Sequence, residues 1–314
     1  MSDASHFAGG EGPLVAVTGA TGFVGHALLD RAGEGGIPLR ALARSEQEPR
    51  PGVTWITGDL ADGAALARLV EGAEAVIHLA GVVNAPDPAG FTSANVAGTL
   101  NVVAAALGAG VQRFIHVSSL SAREPRLSSY GGSKRMGERV VMAAPLDWTV
   151  VRPPAIYGPG DREMLDLFRM AAKGFVALPP GGQLSVIHVD DLARLLLTLL
   201  PSGEDVTCRI FEPDDGHAGG WSHASLAKAI GWGVGKRIRP IALPAPVLRA
   251  AARGDRLLRG AGAKLTADRV GYMCHPDWVV SQEAAPPCQR WTPAVPTRDG
   301  LKATAGWYRE QGWL

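Results

Sequence analysis

The chain has 314 residues, 46% hydrophobic and 19% charged, with 31 Lys and Arg against 30 Asp and Glu for a formal net charge of +1. That is enough apolar material for one large α/β domain, or for a cofactor domain with a smaller companion, and the near-neutral balance gives the chain as a whole no electrostatic reason to bind nucleic acid. No apolar run approaches the roughly 20 residues of a membrane span; the nearest, 192–200, begins inside a helical pattern and predicts a core helix.

Residues 1–12 are small, polar and Gly-rich, with no cationic start and no apolar stretch, and read as a disordered leader rather than a signal peptide. From there, short β-type runs at 14–17, 39–43, 53–57, 75–79, 114–118 and 148–152 alternate with helical patterns at 22–31, 63–70, 91–107 and 129–142. Apolar runs without alternation are strands buried on both faces, so the alternation predicts an α/β fold with a doubly wound parallel sheet. After Arg152 the texture changes: Pro153-Pro154, Pro159-Gly160, Pro179-Pro180-Gly181-Gly182 and Pro244 with Pro246 break the chain into short elements. A strand-plus-helix unit at 185–200 is expected to return to the main sheet. The predicted division is therefore a dinucleotide-binding (Rossmann) domain over 13–152 with 185–200, and a smaller, partly interleaved substrate lobe from 153–184 and 201–314 over the open sheet edge. Cys208, Cys274 and Cys288 lack metal-ligand spacing and cannot all pair, which reads as free thiols in a reducing cytoplasm with no metal site.

Thr18-Gly19-Ala20-Thr21-Gly22-Phe23-Val24-Gly25 follows a strand and opens a helix. Gly19 permits the tight turn, Gly22 lets the backbone approach a pyrophosphate, and Gly25 lets helix and strand pack closely, while the helix N-terminus supplies positive potential. An NAD site places a carboxylate at the end of the next strand; here Arg44 and Ser45 stand there, with Glu46 beside them. Arg44 can pair with a 2′-phosphate and Ser45 adds a hydroxyl donor, favouring NADP(H), with NAD(H) the alternative.

Ser119, Tyr130 and Lys134 make a second constellation. A free phenol is a poor base near neutrality, and a lysine one helical turn on favours the phenolate and tunes it towards working pH. A hydroxyl at the preceding strand end, Ser119 or its neighbour Ser118, would hold the substrate oxygen.

With these pieces in place the chain resembles the short-chain dehydrogenase/reductases in their extended form. The resemblance rests on the glycine turn, Asp59-Leu60, His78-Leu79-Ala80-Gly81, Asn95 to Thr99, Val117-Ser118-Ser119, Tyr130 to Lys134, Arg152-Pro153-Pro154, Tyr157-Gly158-Pro159 and His188 to Asp191, in order. It implies that Tyr130 is the catalytic acid/base, that Lys134 tunes it and bonds the nicotinamide ribose, and that Ser119 polarises the carbonyl. Asn95 would help hold the relay helix, Asp59 and Leu60 would contact adenine, Leu79, Ala80 and Gly81 would line the cofactor, and Pro153 and Pro154 would lie near the nicotinamide. His188, Asp190 and Asp191 would bond backbone structurally. Two departures count against a nucleotide-sugar substrate: the stretch between Ser119 and Tyr130 is short, and Leu120-Ser121-Ala122 stands where a Tyr-Gly pair usually follows the serine.

Between Lys228 and Arg269 ten basic residues face only Asp255 and Asp268. Part of this excess lies on 246–260, where Val247, Leu248, Ala251, Ala252, Leu257 and Leu258 make an apolar side. Such a helix could lie on anionic membrane at its inner face, bind a diphosphate, or pack on the core with a solvated basic face. The resulting expectation is an NADP(H)-dependent ketone/alcohol oxidoreductase for a bulky apolar or lipid-like substrate, such as a 3-keto sphingoid, a ceramide intermediate or a sterol. A nucleotide-sugar epimerase or dehydratase and a non-catalytic cofactor-binding subunit are the alternatives, and a homodimer is an assembly to be tested.

Overall fold

In the computed structural model, which describes residues 12–263 and 265–314, six parallel strands line up in the order expected of a dinucleotide-binding sheet. They are β1 (Val15–Thr18), β2 (Leu39–Ala43), β3 (Val53–Thr57), β4 (Ala75–His78), β5 (Arg113–Val117) and β6 (Asp147–Val151), arranged 3-2-1-4-5-6. Every residue of β1, β4 and β5 is buried, because helices cover both faces. These are α1 (Phe23–Glu34), α2 (Gly63–Val70), α3 (Pro88–Thr92), α4 (Gly98–Gly108) and α5 (Ser129–Ala143). Val15, Val17, Ile77 and Ile115 meet Leu28 and Leu29 on one face, while Ala16, Val76 and Phe114 meet Leu66 and Val102 on the other. The leader lies outside the described residues except for Gly12, and so does Lys264.

The helix expected over 91–107 runs from Pro88 to Gly108 and is interrupted by a π turn at Ser93–Ala97. By length and composition this 21-residue stretch, with mean hydropathy 1.2, could cross a membrane, and it is a longer apolar segment than 192–200. It packs Phe91, Asn95, Val102, Val103 and Ala106 inward and serves as a core helix.

Past β6 the prolines deliver short pieces: β7 (Ala155–Tyr157), α6 (Leu165–Ala172), β8 (Phe175–Leu178) and β9 (Gln183–Leu184). The unit at 185–200 corrects one expectation. Its strand, β10 (Val186–His188), pairs in parallel with β7 and not with the main sheet. Only its helix, α7 (Val189–Thr198), returns, burying Leu192, Leu195 and Leu196 in the core beside α1. Conversely, β11 (Arg209–Phe211), from a segment read as substrate lobe, adds a seventh strand beside β6. The rest contributes α8 (His223–Gly233), α9 (Ala245–Arg259), α10 (Ala267–Met273) and α11 (Thr297–Glu310). A second core joins Phe168 of α6, Val176 of β8, Ile230 of α8, and Leu301 and Tyr308 of α11. On α9 the expected single apolar side is split: Leu248 and Ala252 are buried, whereas Val247, Ala251, Leu257 and Leu258 are exposed.

Candidate active site

The turn after β1 is shaped by contacts no side chain could share. Gly19 has φ of 78°, and a Cβ there would lie 2.6 Å from the Ala80 amide nitrogen. A Cβ on Gly25 would stand 2.3 Å from the Gly19 carbonyl oxygen, so α1 begins pressed against the turn. Gly22 caps α1 without a side-chain bond, and no acidic residue sits in the first turn. The first-turn amides of Phe23, Val24 and Gly25 are therefore left for an anion, beside exposed Thr21 and Gly22. Gly81 is also bare: a Cβ there would come within 2.8 Å of Asn95 Oδ1 and 3.6 Å of Lys134 Nζ, so the glycine keeps open the space before that ammonium. A glycine turn, an uncapped helix start and this gap fit a dinucleotide.

The remaining cofactor candidates follow the C-terminal ends of β2, β3, β4 and β6. Arg44 and Ser45 are exposed at the end of β2, the Ser45 hydroxyl accepting from Gln47 Nε2 at 3.1 Å. Asp59 is folded over its own turn, its Oδ1 accepting from the Ala61 and Asp62 amides at 2.8 and 3.1 Å. Leu60 packs where a Cβ on Gly98 would be 2.6 Å from its Cδ1. Leu79 and Ala80 are half-buried at the exit of β4. Pro153 is buried, its carbonyl accepting from the Leu120 amide at 2.9 Å, and Pro154 is half-buried beside it.

Tyr130 and Lys134 stand one turn apart on α5. Ser119 caps a short 3-10 turn, Leu120–Arg123, and its Oγ accepts from the Ser121 amide and hydroxyl at 3.2 and 2.9 Å. The hydroxyls of both serines favour the ionised form of the Tyr130 phenol. Ser118, the other serine of the pair, is turned inward and donates to Glu138 Oε1 at 2.7 Å, so it is Ser119 that shares the space with Tyr130. Phe91 and Tyr272 flank the Tyr130 ring, each with centroids 6.1 Å away.

Burial pushes the phenol up to about 12 against the opposing pull of Ser119 and Ser121. The expected tuning by Lys134 is not what governs it here. The Lys134 ammonium donates to the Val117 carbonyl at 2.8 Å, and its own burial draws it down to about 8 despite the Glu138 carboxylate. Asn95, in the π turn, accepts from the Val82 amide at 2.8 Å and donates to Ser133 Oγ at 2.9 Å, tying the loop after β4 to α5. π turns recur where a helix must re-aim one group.

Several neighbours escaped motif reading. Glu138 has no exposed surface and binds Arg152 through Nε and Nη2, both at 2.8 Å, and Arg135 at 3.0 Å. His78 lies between the Thr18 and Thr99 hydroxyls at 2.6 and 3.0 Å and stacks on His116 at 5.3 Å. Burial, reinforced by the Lys134 charge, holds His78 down at about 3 and His116 well below the usual imidazole range. Asp268, counted from sequence only as a charge, accepts from the Ser129 and Tyr130 amides at 2.5 and 3.3 Å. Away from the cleft, Asp191 accepts the Ala294 and Val295 amides at 3.0 Å, His188 Nδ1 accepts the Asp190 amide at 3.2 Å, and Asp190 pairs with Arg31 of α1.

A model of the NAD dependent epimerase/dehydratase family matches residues 15–211, from β1 to β11. Ceramide reductase of Caulobacter vibrioides is 38% identical over 320 residues, covering 96% of each chain. The 2-alkyl-3-oxoalkanoate reductase of Stenotrophomonas maltophilia is 31% identical over 208 residues, covering 57% of this chain and 62% of its own. Among solved structures, gox2253 superposes with a TM-score of 0.77 at 23% identity, over 97% of this chain and 100% of its own. WbmG of Bordetella bronchiseptica, in complex with NAD and UDP, gives 0.72 at 20% over 97% and 96%. At these identities the two structures speak for the fold. With a family match over more than half its length and reductases among its relatives, this chain belongs to the NAD dependent epimerase/dehydratase family and is an NAD(P)-dependent oxidoreductase of the extended short-chain dehydrogenase/reductase type.

Proposed function

We propose that the protein reduces a ketone on a bulky apolar or lipid-like substrate, preferring NADP(H), with Ser119, Tyr130 and Lys134 as its reacting apparatus. The observation that carries this reading is the setting of the Tyr130 phenol, influenced by the Ser119 hydroxyl and walled by Phe91 and Tyr272. The 38% identical relative that spans the chain is named for a ceramide, which supports a long-chain keto lipid such as a 3-keto sphingoid or ceramide intermediate. A sterol is a second substrate of the same character.

A bound nicotinamide dinucleotide supplies the hydride. The first-turn amides of α1 and the turn Gly19 to Gly25 would hold its pyrophosphate, Arg44 and Ser45 its 2′-phosphate, and Asp59 with Leu60 its adenine. Leu79, Ala80, Gly81, Pro153 and Pro154 line the cleft, and Lys134 faces the space beside Gly81 where a ribose would sit. Ser119 orients the carbonyl oxygen, and Tyr130, a phenol that is neutral at pH 7 and that burial keeps so, gives that oxygen its proton. A lipid-like substrate also calls for a surface where the enzyme can collect it from a bilayer, and the basic helix α9 is the candidate.

The test is NADPH and NADH absorbance with long-chain 3-keto, steroid and nucleotide-sugar substrates. Oxidation of NADPH by the long-chain ketones is expected, with Tyr130→Phe slower by about 10²–10⁴-fold at nearly unchanged cofactor affinity. Turnover of nucleotide sugars alone, without net cofactor consumption, would replace this reading with the epimerase one.

A further inference from the structure

Helix α9 buries its lesser apolar side. Leu248 and Ala252, four residues apart, pack with Val270 of α10. The other side is bare: Val247, Leu257 and Leu258 are 48%, 87% and 88% exposed. Exposed Ala250 and Ala251 lie between them on the same half of the helix, since residues three and four apart share a face. A helix serving only the core would turn its leucines inward and its alanines out. Arg249, Arg253 and Arg256, spaced four and three residues apart, form one edge between the two sides, and among the described residues none of them has an acidic partner.

We propose that α9 docks on an anionic lipid bilayer, with Leu257 and Leu258 entering the acyl layer and the three arginines reaching the phosphates. Charge complementarity selects this occupant: apolar side chains rimmed by cations match the boundary between acyl chains and anionic headgroups. A two-fold contact with a second copy would instead set the same arginines against each other. The position of the helix adds a purpose, which rests on the lipid-like substrate reading. A groove of about 710 Å³ runs from Leu257 between α9 and the loop at Asn84 and Pro86, reaching Thr266 at the start of α10. That same short helix carries Tyr272, against Tyr130, and Asp268, on the Tyr130 helix start. The groove beside the docked face thus ends at the helix whose Tyr272 packs on the Tyr130 ring.

The test is sedimentation of the full chain with phosphatidylcholine vesicles, with and without phosphatidylglycerol, at low and high salt. Binding is expected only with the anionic lipid and should fade with salt. The triple variant Arg249→Glu, Arg253→Glu, Arg256→Glu should lose about fivefold per arginine, on the order of a hundredfold together. Leu258→Ser, at a fully exposed position where folding is not at stake, should lose about tenfold or more. Arg249→Glu and Leu258→Ser lie outside the groove and should reduce a short, water-soluble ketone at the parent's rate. Absent binding, equal binding to both vesicle types, or a concentration-dependent doubling of mass that Leu258→Ser abolishes would overturn the proposal. Vesicle binding by a protein that reduces no ketone would instead overturn the proposed function and leave the docking standing.

Discussion

Removing the Glu138 carboxylate is the most informative perturbation of the scaffold beneath the relay. Glu138 is fully buried and accepts four hydrogen bonds, from Ser118 at 2.7 Å, from Arg152 twice at 2.8 Å and from Arg135 at 3.0 Å. In Glu138→Ala the Arg152 guanidinium, 7% exposed, keeps only Glu212 at 3.4 Å. Breaking one side of a buried pair costs about 3–5 kcal/mol, because the remaining charge is left in a poorly solvating interior. With an unfolding entropy of about 2.1 cal/mol/K per residue, a chain of 314 residues should lose about 5–8 °C in Tm. Differential scanning calorimetry reads this directly. Pairing Glu138→Leu with Arg152→Met should recover most of the loss, since two well-packed apolar side chains often replace a buried ion pair without cost. A Glu138→Ala protein melting within about 1 °C of the parent, or a double variant no better than the single, would refute the reasoning.

Arg44→Ala should weaken NADPH by about 1.5–3 kcal/mol and leave NADH almost unchanged, as fluorescence titration of both would show; equal losses would mean that Arg44 does not read the 2′-phosphate. Acid should destabilise the fold through His78 and His116, whose lowered values mean that the unfolded chain takes up protons first as pH falls below about 6.5. Between pH 7 and pH 5 His78 should cost about 2 kcal/mol and His116 acts in the same direction, offset by about 1.3 kcal/mol from Asp161, which burial raises to about 6 and which therefore gains its proton in the folded state first. Urea midpoints at the two pH values, with a smaller dependence in His116→Leu, check this. Gly25→Ala should cost about 3 kcal/mol, since its Cβ meets two backbone carbonyls, whereas Gly33→Ala, open in the same helix, should gain about 0.5–1 kcal/mol in thermal melts.

The main sheet was legible because strands buried on both faces must be apolar throughout, and β1 to β6 are uninterrupted runs separated by helical periodicity. β11 was not, since three residues with Arg209 exposed carry no periodic signal. Nor could the partner of β10 be read, because Pro153 and Pro154 turn the chain so that β7, not the sheet edge, lies beside it. In the site, local spacing announced the glycine turn and the pair Tyr130 and Lys134. The acidity of Tyr130 was hidden, because it depends on Phe91 and Tyr272, which are remote in sequence. Likewise the amphipathic character of α9 was visible, but which apolar residues it buries is decided by where α10 docks.

That docking also bears on the chemistry. The helix of Tyr130 starts with two caps: Ser128, from its own sequence, whose hydroxyl accepts from the Gly131 amide at 2.9 Å, and Asp268, from α10, which accepts from the Ser129 and Tyr130 amides. A cap contributes about 1 kcal/mol, and a carboxylate at a helix N-terminus adds to it through the helix dipole. On the opposite side Arg123, which follows the Ser119 turn, donates to the Val279 and Asp277 carbonyls at 2.8 and 3.2 Å and pairs with Glu212 at 3.5 Å. Ser119 and Tyr130 are thus each anchored to elements after β11, although both sit at the end of the cofactor sheet. α10 and the segment around Val279 therefore both contribute to where the two hydroxyls sit. The segments that line the groove are also part of the frame that positions Ser119 and the proposed proton donor Tyr130.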